Sequence, residues 1–260
     1  MKKTPLLLLL LSITTSYAWA LTAEEKGLQI AQKADRLDSG WGDQKQSMEM
    51  ILRNKQGQES RRQIRGRSLE VIGDGDKALS IFDSPADVKG TAFLSFTHVN
   101  EPDDQWLYLP ALKRVKRIAS KNKSGPFMGS EFAFEDMSSQ EVDKYTYKWL
   151  RDEQLDGKDV YVIERVPVDK HSGYTRQIVW GDRKIYHPLK VEFYDRKNAL
   201  LKTLVLFDYK QYLGKYWRPD RMEMTNHQNG KSTTLLFTDY VFNNGFTDRD
   251  FDRNSLKRAR

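Results

Sequence analysis

Apolar residues recur at two different spacings along this chain. Near the start, Leu28, Ala31, Ala34 and Leu37 fall at helical spacing behind Thr22-Ala23-Glu24-Glu25. Thr22 with Glu25 three residues on is a capping box, and Gly40 ends the pattern. The spacing predicts one helix over 23–38. Its apolar stripe is narrow and made mostly of small residues, so it rests on another surface rather than forming a core alone. From Asp43 the period drops to two, as in Ser47-Met48-Glu49-Met50. Strand patterns then recur over 60–71, 78–82, 90–99, 105–109, 114–118, 143–152, 159–166, 174–180, 189–194, 200–213, 217–227 and 232–242, separated by turn signals such as Gly73-Asp74-Gly75-Asp76. The connections are too short for helical crossovers, so the sheet is antiparallel, curled or closed. Val191 and Phe193 oppose Lys190, Glu192 and Tyr194, and Met222 and Met224 alternate with Arg221, Glu223 and Thr225. One face is thus wet and the other apolar. Phe246 through Leu256 reads as a short capped helical turn.

The first twenty residues follow neither pattern. Lys2 and Lys3 precede the apolar run Leu6–Leu11, and Ala18-Trp19-Ala20 offers a small-residue cleavage site. This is the composition of a secretory signal peptide, too short to span a bilayer, with cleavage expected after Ala20 and a single β domain over 21–260. The chain has no cysteine, which excludes a disulfide framework and N-terminal cysteine lipidation. A soluble, exported, periplasmic protein is expected. There are 43 Lys and Arg against 36 Asp and Glu, a net of +7, which falls to +5 when Lys2 and Lys3 leave. That balance is too mild for a dedicated nucleic-acid binder but compatible with anionic headgroups.

Candidate chemistry is sparse. Gly129-Ser130 lacks the G-x-S-x-G spacing of a nucleophile elbow, so turn and packing is the stronger reading. His98, His171, His187 and His227 show no metal-ligand spacing. Asp248–Asp252 lacks the glycine and the closing glutamate of a calcium loop. No catalytic site, cofactor or metal is expected. Two basic stripes stand out: Lys113, Arg114, Lys116 and Arg117, followed by Lys121 and Lys123; and Arg61, Arg62, Arg65 and Arg67. Each reads either as a charged, protected sheet edge or as a docking patch for an acidic partner or headgroup. Aromatics are in surplus, Trp106, Tyr108, Phe127, Phe132 and Phe134 among them. They fill an ordinary core or line a cavity for an acyl chain. At roughly 0.8 kcal/mol per methylene, a ~16-carbon chain gains on the order of 10 kcal/mol before ordering costs.

Two stretches carry a family likeness. One is Gln105-Trp106-Leu107-Tyr108-Leu109-Pro110-Ala111 followed by Lys113–Ile118; the other is Phe127-Met128-Gly129-Ser130-Glu131-Phe132 with Glu135-Asp136. Weaker support comes from 188–195 and 204–208. Together they resemble the outer membrane lipoprotein-sorting (LolA-like) family, in the branch associated with RND-type exporters, over roughly Asp74 to Leu256. The resemblance implies a mainly β fold: a curved, incompletely closed antiparallel β-barrel, with the N-terminal helix and short helical segments covering its mouth. It also implies a non-enzymatic periplasmic carrier for lipoprotein or other acyl chains, working with an inner-membrane partner, or an accessory module of an exporter. On that reading Trp106, Tyr108, Phe127, Met128, Phe132 and Phe134 are cavity or lid candidates. Lys113, Arg114, Lys116 and Arg117 are partner-docking candidates.

Overall fold

Thr22 opens the first element of the computed structural model, which describes residues 21–258; the leader read at 1–20 lies outside the described residues. Helix α1 spans Ala23–Asp38. The Thr22 hydroxyl accepts from the Glu25 amide at 3.1 Å, and the Glu25 carboxylate accepts from the Thr22 amide at 2.8 Å. These bonds hold the Glu25 carboxyl below its ordinary value. The helix does not use the face its leucines suggest. Leu28 and Leu37 are exposed, Gly27 is buried, and Ile30 packs against the main core. A Cβ on Gly27 would lie 2.8 Å from the Trp149 amide nitrogen, so glycine is what lets the helix backbone approach the sheet. Lys26 then lies over the Trp149 ring, 3.3 Å from its centroid.

Thirteen strands follow: β1 (Asp43–Arg53), β2 (Glu59–Leu69), β3 (Lys77–Ser84), β4 (Ala92–Phe96), β5 (Asp104–Leu109), β6 (Arg114–Ile118), β7 (Tyr145–Leu155), β8 (Lys158–Pro167), β9 (Arg176–Asp182), β10 (Pro188–Tyr194), β11 (Leu200–Tyr212), β12 (Tyr216–Asn226) and β13 (Ser232–Phe242). They form one antiparallel sheet in the order β6-β5-β4-β3-β2-β1-β13-β12-β11-β10-β9-β8-β7. The chain enters at the centre and winds outward to β6. It then crosses to the far edge at β7 and winds back until β13 pairs with β1. The two edges, β6 and β7, do not pair, so the sheet is not closed into a barrel.

One apolar cluster gathers Met48, Ile64, Phe82, Leu107 and Ile118 from the first half with Tyr161, Ile163, Val179, Val191 and Met224 from the second. Side chains from strands so far apart in the row meet only because the sheet curls around them. Strand periodicity sorts the two faces: Tyr161 and Ile163 point into the curl, while Val160 and Val162 join an outer cluster with Ile178 and Trp180. Leu189 lies on the outer face although Val191 and Phe193 lie inside, because the β9–β10 register shifts between Pro188 and Lys190. Short 3-10 turns at Asp248–Phe251 and Ser255–Arg258 drop Phe251 and Leu256 onto the outer face of β3–β5, beside Leu79, Leu94 and Trp106. Among the described residues no helix is long and apolar enough to cross a membrane.

The close approach at Gly27 gives a substitution with an inverted sign. Gly→Ala inside a helix normally stabilises by about 1 kcal/mol. Here the added methyl meets backbone, and Gly27→Ala is expected to lower the unfolding free energy by about 1–3 kcal/mol. Urea unfolding measures the sign, and faster amide exchange confined to 23–38 locates the effect on the helix.

Candidate functional site

Because β6 and β7 do not pair, the chain must travel from one edge to the other, and residues 119–144 make that passage through the mouth of the curl. Its core is GPFMGSEFAFEDM, residues 125–137. The segment folds back on itself: the Phe127 amide donates to the Phe132 carbonyl at 2.7 Å, and the Phe134 amide to Gly125 at 3.0 Å. Met128 and Gly129 at its tip both take positive φ, 51° and 77°. Glycine meets that demand without strain, while Met128 tolerates it in a turn. Ser130 is buried, and its hydroxyl donates to the Phe127 carbonyl at 2.7 Å while accepting from Phe132 at 3.3 Å. The hydroxyl thus serves the turn.

The apolar side chains of this strap fill the curl. Phe127 is fully buried, edge-on to Phe93 at 5.0 Å and to Phe134 at 5.6 Å. Phe132 is buried in the same cluster, with Met128 and Phe134 packed against it. Polar bonds fasten the strap around them. Arg62 donates to the Met128 carbonyl. The Glu131 carboxylate accepts from Asn226 at 2.7 Å and Asn229 at 3.2 Å. Gln105 donates to the Phe134 carbonyl at 2.9 Å.

Glu135 and Asp136, which the sequence reads as facing water or starting a short helix, do open the 3-10 turn Phe134–Met137, and their carboxylates point into the structure. Asp136 accepts from Lys202 at 2.7 Å, from the Tyr174 hydroxyl at 2.8 Å and from the Ala133 amide at 2.7 Å. The Lys202 and Asp136 side chains are only 4% and 9% exposed, so the ion pair is buried. Lys202 also donates to the Glu131 carbonyl at 2.9 Å. Burial, then the neighbouring Asp136 and Glu135 carboxylates, push the Tyr174 phenol well up, which keeps it a donor. Glu135 accepts from Ser172 and from the Gly173 amide, both at 2.8 Å. Burial still raises its carboxyl above the ordinary range.

The structure gathers Phe127, Met128, Phe132 and Phe134 inside the curl. It places Trp106 and Tyr108 on the opposite face of β5, under Phe251 and Leu256. Lys113, Arg114, Lys116 and Arg117 are all exposed along β6 and the turn before it, and Arg117 pairs with Asp104. Two clefts open beside the strap tip. One of about 620 Å³ is lined by Gly129, Glu131, Lys202, Asn226 and Lys231. One of about 270 Å³ is lined by Leu52, Arg53, Gly129 and Glu131. Sequence reasoning missed Lys202, Tyr174 and Asn226, which come from β11, the β8–β9 connection and β12 and meet only through the fold; it had Arg62 in a basic stripe, and the structure ties it to the strap.

Where the strap leaves the curl, carboxylates crowd together. The Ser139 hydroxyl donates to Glu141 at 2.6 Å and accepts from the Asp76 amide at 3.3 Å. Burial first, then the charge of Glu141, pushes Asp76 up to about 7, with Glu70 and Asp38 adding to it. Glu70 in turn accepts from the Gly40 and Gly42 amides at 2.6 and 2.7 Å, fixing the exit of α1.

This geometry, a curled antiparallel sheet left open at one seam and filled by its own crossover, defines a LolA-like half-barrel. A family model described as "uncharacterized protein" matches residues 74–258. The crystal structure of an outer membrane lipoprotein-sorting protein domain from Vibrio parahaemolyticus is 62% identical, with a TM-score of 0.89, over 90% of this chain and 100% of that one. A DUF1329 family protein from Desulfovibrio piger is 28% identical, with a TM-score of 0.86, over 91% of this chain and 100% of that one. A LolA superfamily protein from Nitrosomonas europaea shares the fold, at 23% identity and a TM-score of 0.69, over 90% and 99%. Comparison with curated proteins gives no match. The chain belongs to the outer membrane lipoprotein-sorting, LolA-like family.

Two measurements probe the site. Lys202→Met strands a buried carboxylate and is expected to cost about 3–5 kcal/mol. Adding Asp136→Asn should recover part of that loss, a positive coupling of about 1–2 kcal/mol in a double-mutant cycle read by urea unfolding. Asp76 has a folded value near 7 against an ordinary 3.8. Its raised value means the folded state keeps a proton that the unfolded chain releases, so stability falls as pH rises from about 4 through 7. Asp76→Asn is therefore expected to stabilise by about 2 kcal/mol at pH 8, allowing for partial exposure, and to change nothing at pH 4.

Proposed function

We propose that this protein is a periplasmic, non-enzymatic carrier that takes an acyl-chain-bearing cargo, a lipoprotein in the first instance, into the curl of its sheet. The leader at 1–20 and the family support export. The single observation that carries the reading is that the apolar lining of the sheet is closed by an inserted connection rather than by pairing of its edges. Phe127, Phe132 and Phe134 hold the space an acyl chain needs. Exchanging them for a lipid chain replaces one apolar contact with another. Exposing a buried phenylalanine costs about 1.5–3 kcal/mol, and burying a methylene gains about 0.8. A chain of ordinary lipid length therefore offsets the loss of the strap's aromatics. The helix α1, held through Gly27 and the Lys26–Trp149 contact, is the second cover in this reading. The cargo is handed on at a membrane, and an RND-type exporter is the partner class we propose for that handover. The single domain extends over 21–260.

The absence of native cysteine makes a direct test clean. A Cβ built on Gly173 lies 2.8 Å from the Ser124 Cβ, within an ångström or so of disulfide spacing. Ser124→Cys with Gly173→Cys, oxidised, locks the strap to the β8–β9 connection. The oxidised form is expected to lose uptake of a fluorescent fatty-acid or lipopeptide probe by tenfold or more, in line with about 1.4 kcal/mol per decade, and reduction restores it. Equal uptake in both states, or no uptake by the parent chain and no lipid released from it in native mass spectrometry, overturns the reading.

A further inference from the structure

Of the two basic stripes, the fold engages every arginine of the second, while in the first it pairs Arg117 with Asp104 and Lys123 with Asp169 and leaves the others exposed. Arg61 pairs with Glu49 and Glu59, Arg65 pairs with Asp83, Arg62 is tied to the strap, and Arg67 lies over Phe246. Lys113, Arg114 and Lys116 have no acidic partner among the described residues, and all three are exposed. They sit on β6 and the 3-10 turn Pro110–Leu112 that leads into it. At that turn Leu112 is 68% exposed. Exposed Lys89 belongs to the neighbouring β3–β4 loop, where Gly90 approaches Pro110. Lys121 extends the row just past the other end of the strand and is also exposed.

Charge on an edge strand blocks edge-to-edge aggregation, and the Lys and Arg of β6 serve that end. Edge protection does not account for Leu112. A large aliphatic side chain held out at a hairpin tip, ringed by cations with no partner, matches the interface of an anionic bilayer. There the aliphatic group enters the headgroup boundary and the cations meet lipid phosphates. We infer that the β5–β6 hairpin is a reversible docking surface for anionic phospholipid membranes, with Leu112 as its inserting residue and Lys113, Arg114 and Lys116 as its phosphate contacts. The surface lies along the exposed edge of the sheet, and neither Leu112 nor its cations join the apolar cluster that holds the strap, so docking leaves the strap in place.

The experiment is vesicle flotation with the purified chain, expressed with residues 1–20 in place for export. It compares neutral phosphatidylcholine vesicles with vesicles containing about one-third phosphatidylglycerol. Binding is expected only to the anionic vesicles and is lost at high salt. Lys113→Glu with Arg114→Glu and Lys116→Glu should weaken it on the order of 100-fold, about fivefold per cation removed. Leu112→Ser should weaken it severalfold without changing the salt dependence. Lys55→Glu with Lys158→Glu and Lys184→Glu changes net charge equally at exposed sites elsewhere and should leave binding within about twofold. Thermal unfolding confirms that each variant folds. No preference for anionic vesicles, or equal losses in both triple variants, overturns the inference. So does loss of co-purification with a membrane exporter while vesicle binding stays intact, which makes the hairpin a protein contact. Uptake of the acyl probe should persist in every hairpin variant, so failure here is distinguishable from failure of the carrier reading.

Discussion

Lys202 and Asp136 form the buried ion pair that ties the strap to the second half of the sheet. Lys202 belongs to β11 and Asp136 to the crossover. A buried ion pair adds little net stability, since desolvation takes back most of the attraction. Its value here is positional. Asp136 has three donors around it, and Lys202 has two oxygens with the Tyr174 and Phe193 rings each 5.2 Å from its ammonium. With both groups satisfied, only one placement of the strap avoids an orphaned charge. The phenylalanines then pack in one arrangement. Without that constraint, a flexible crossover carrying four large apolar side chains could fill the curl in many ways.

The seam explains the asymmetry of the two edges. The β7 edge is guarded by packing: α1 lies against it, Lys148 pairs with Glu24 at 3.5 Å, and a register shift between Trp149 and Arg151 breaks its ladder. The β6 edge has no such cover and is guarded by charge. A sheet protected on one side by a helix and on the other by cations has one face suited to close contact and one suited to electrostatic contact. That division leaves the basic hairpin on the edge opposite in strand order to the one against which the helix packs.

Much of this was legible beforehand. The capping box at Thr22 set the helix start, and period-two runs placed all thirteen strands, with Val191, Phe193 and Met224 on the inner face as read. What was hidden has physical causes. The helix turned its glycine inward rather than Leu28 and Leu37, because close backbone approach to β7 outweighed burial of two leucines. Trp106 and Tyr108 alternate with Leu107, so period two already separates them from the strap's aromatics. Which face was inner depended on the curl, and the C-terminal turns supplied the outer cover. Glu135 and Asp136 look solvated because their partners, Ser172, Tyr174 and Lys202, lie 37 to 66 residues away. No local pattern announces a partner at that distance.

In the proposed carrier role the strap must come and go, and that needs hydrogen bonding that does not depend on the sheet. Its backbone bonds are largely its own: Phe127 to Phe132, Phe134 to Gly125, Glu135 to Lys123, and the bridge between Pro126 and Ala133. No strand ladder includes any of its residues. Lifting it would leave every inter-strand bond intact and would orphan few of its own backbone groups, avoiding the largest cost of opening a β structure. What must break are the anchors at Arg62, Gln105, Ser172, Gly173, Tyr174, Lys202, Asn226, Asn229 and Thr233. Water can take their place once they separate, and an incoming chain can replace the aromatics. The sheet and its plug are thus held by different bonds, so one can be altered with little effect on the other.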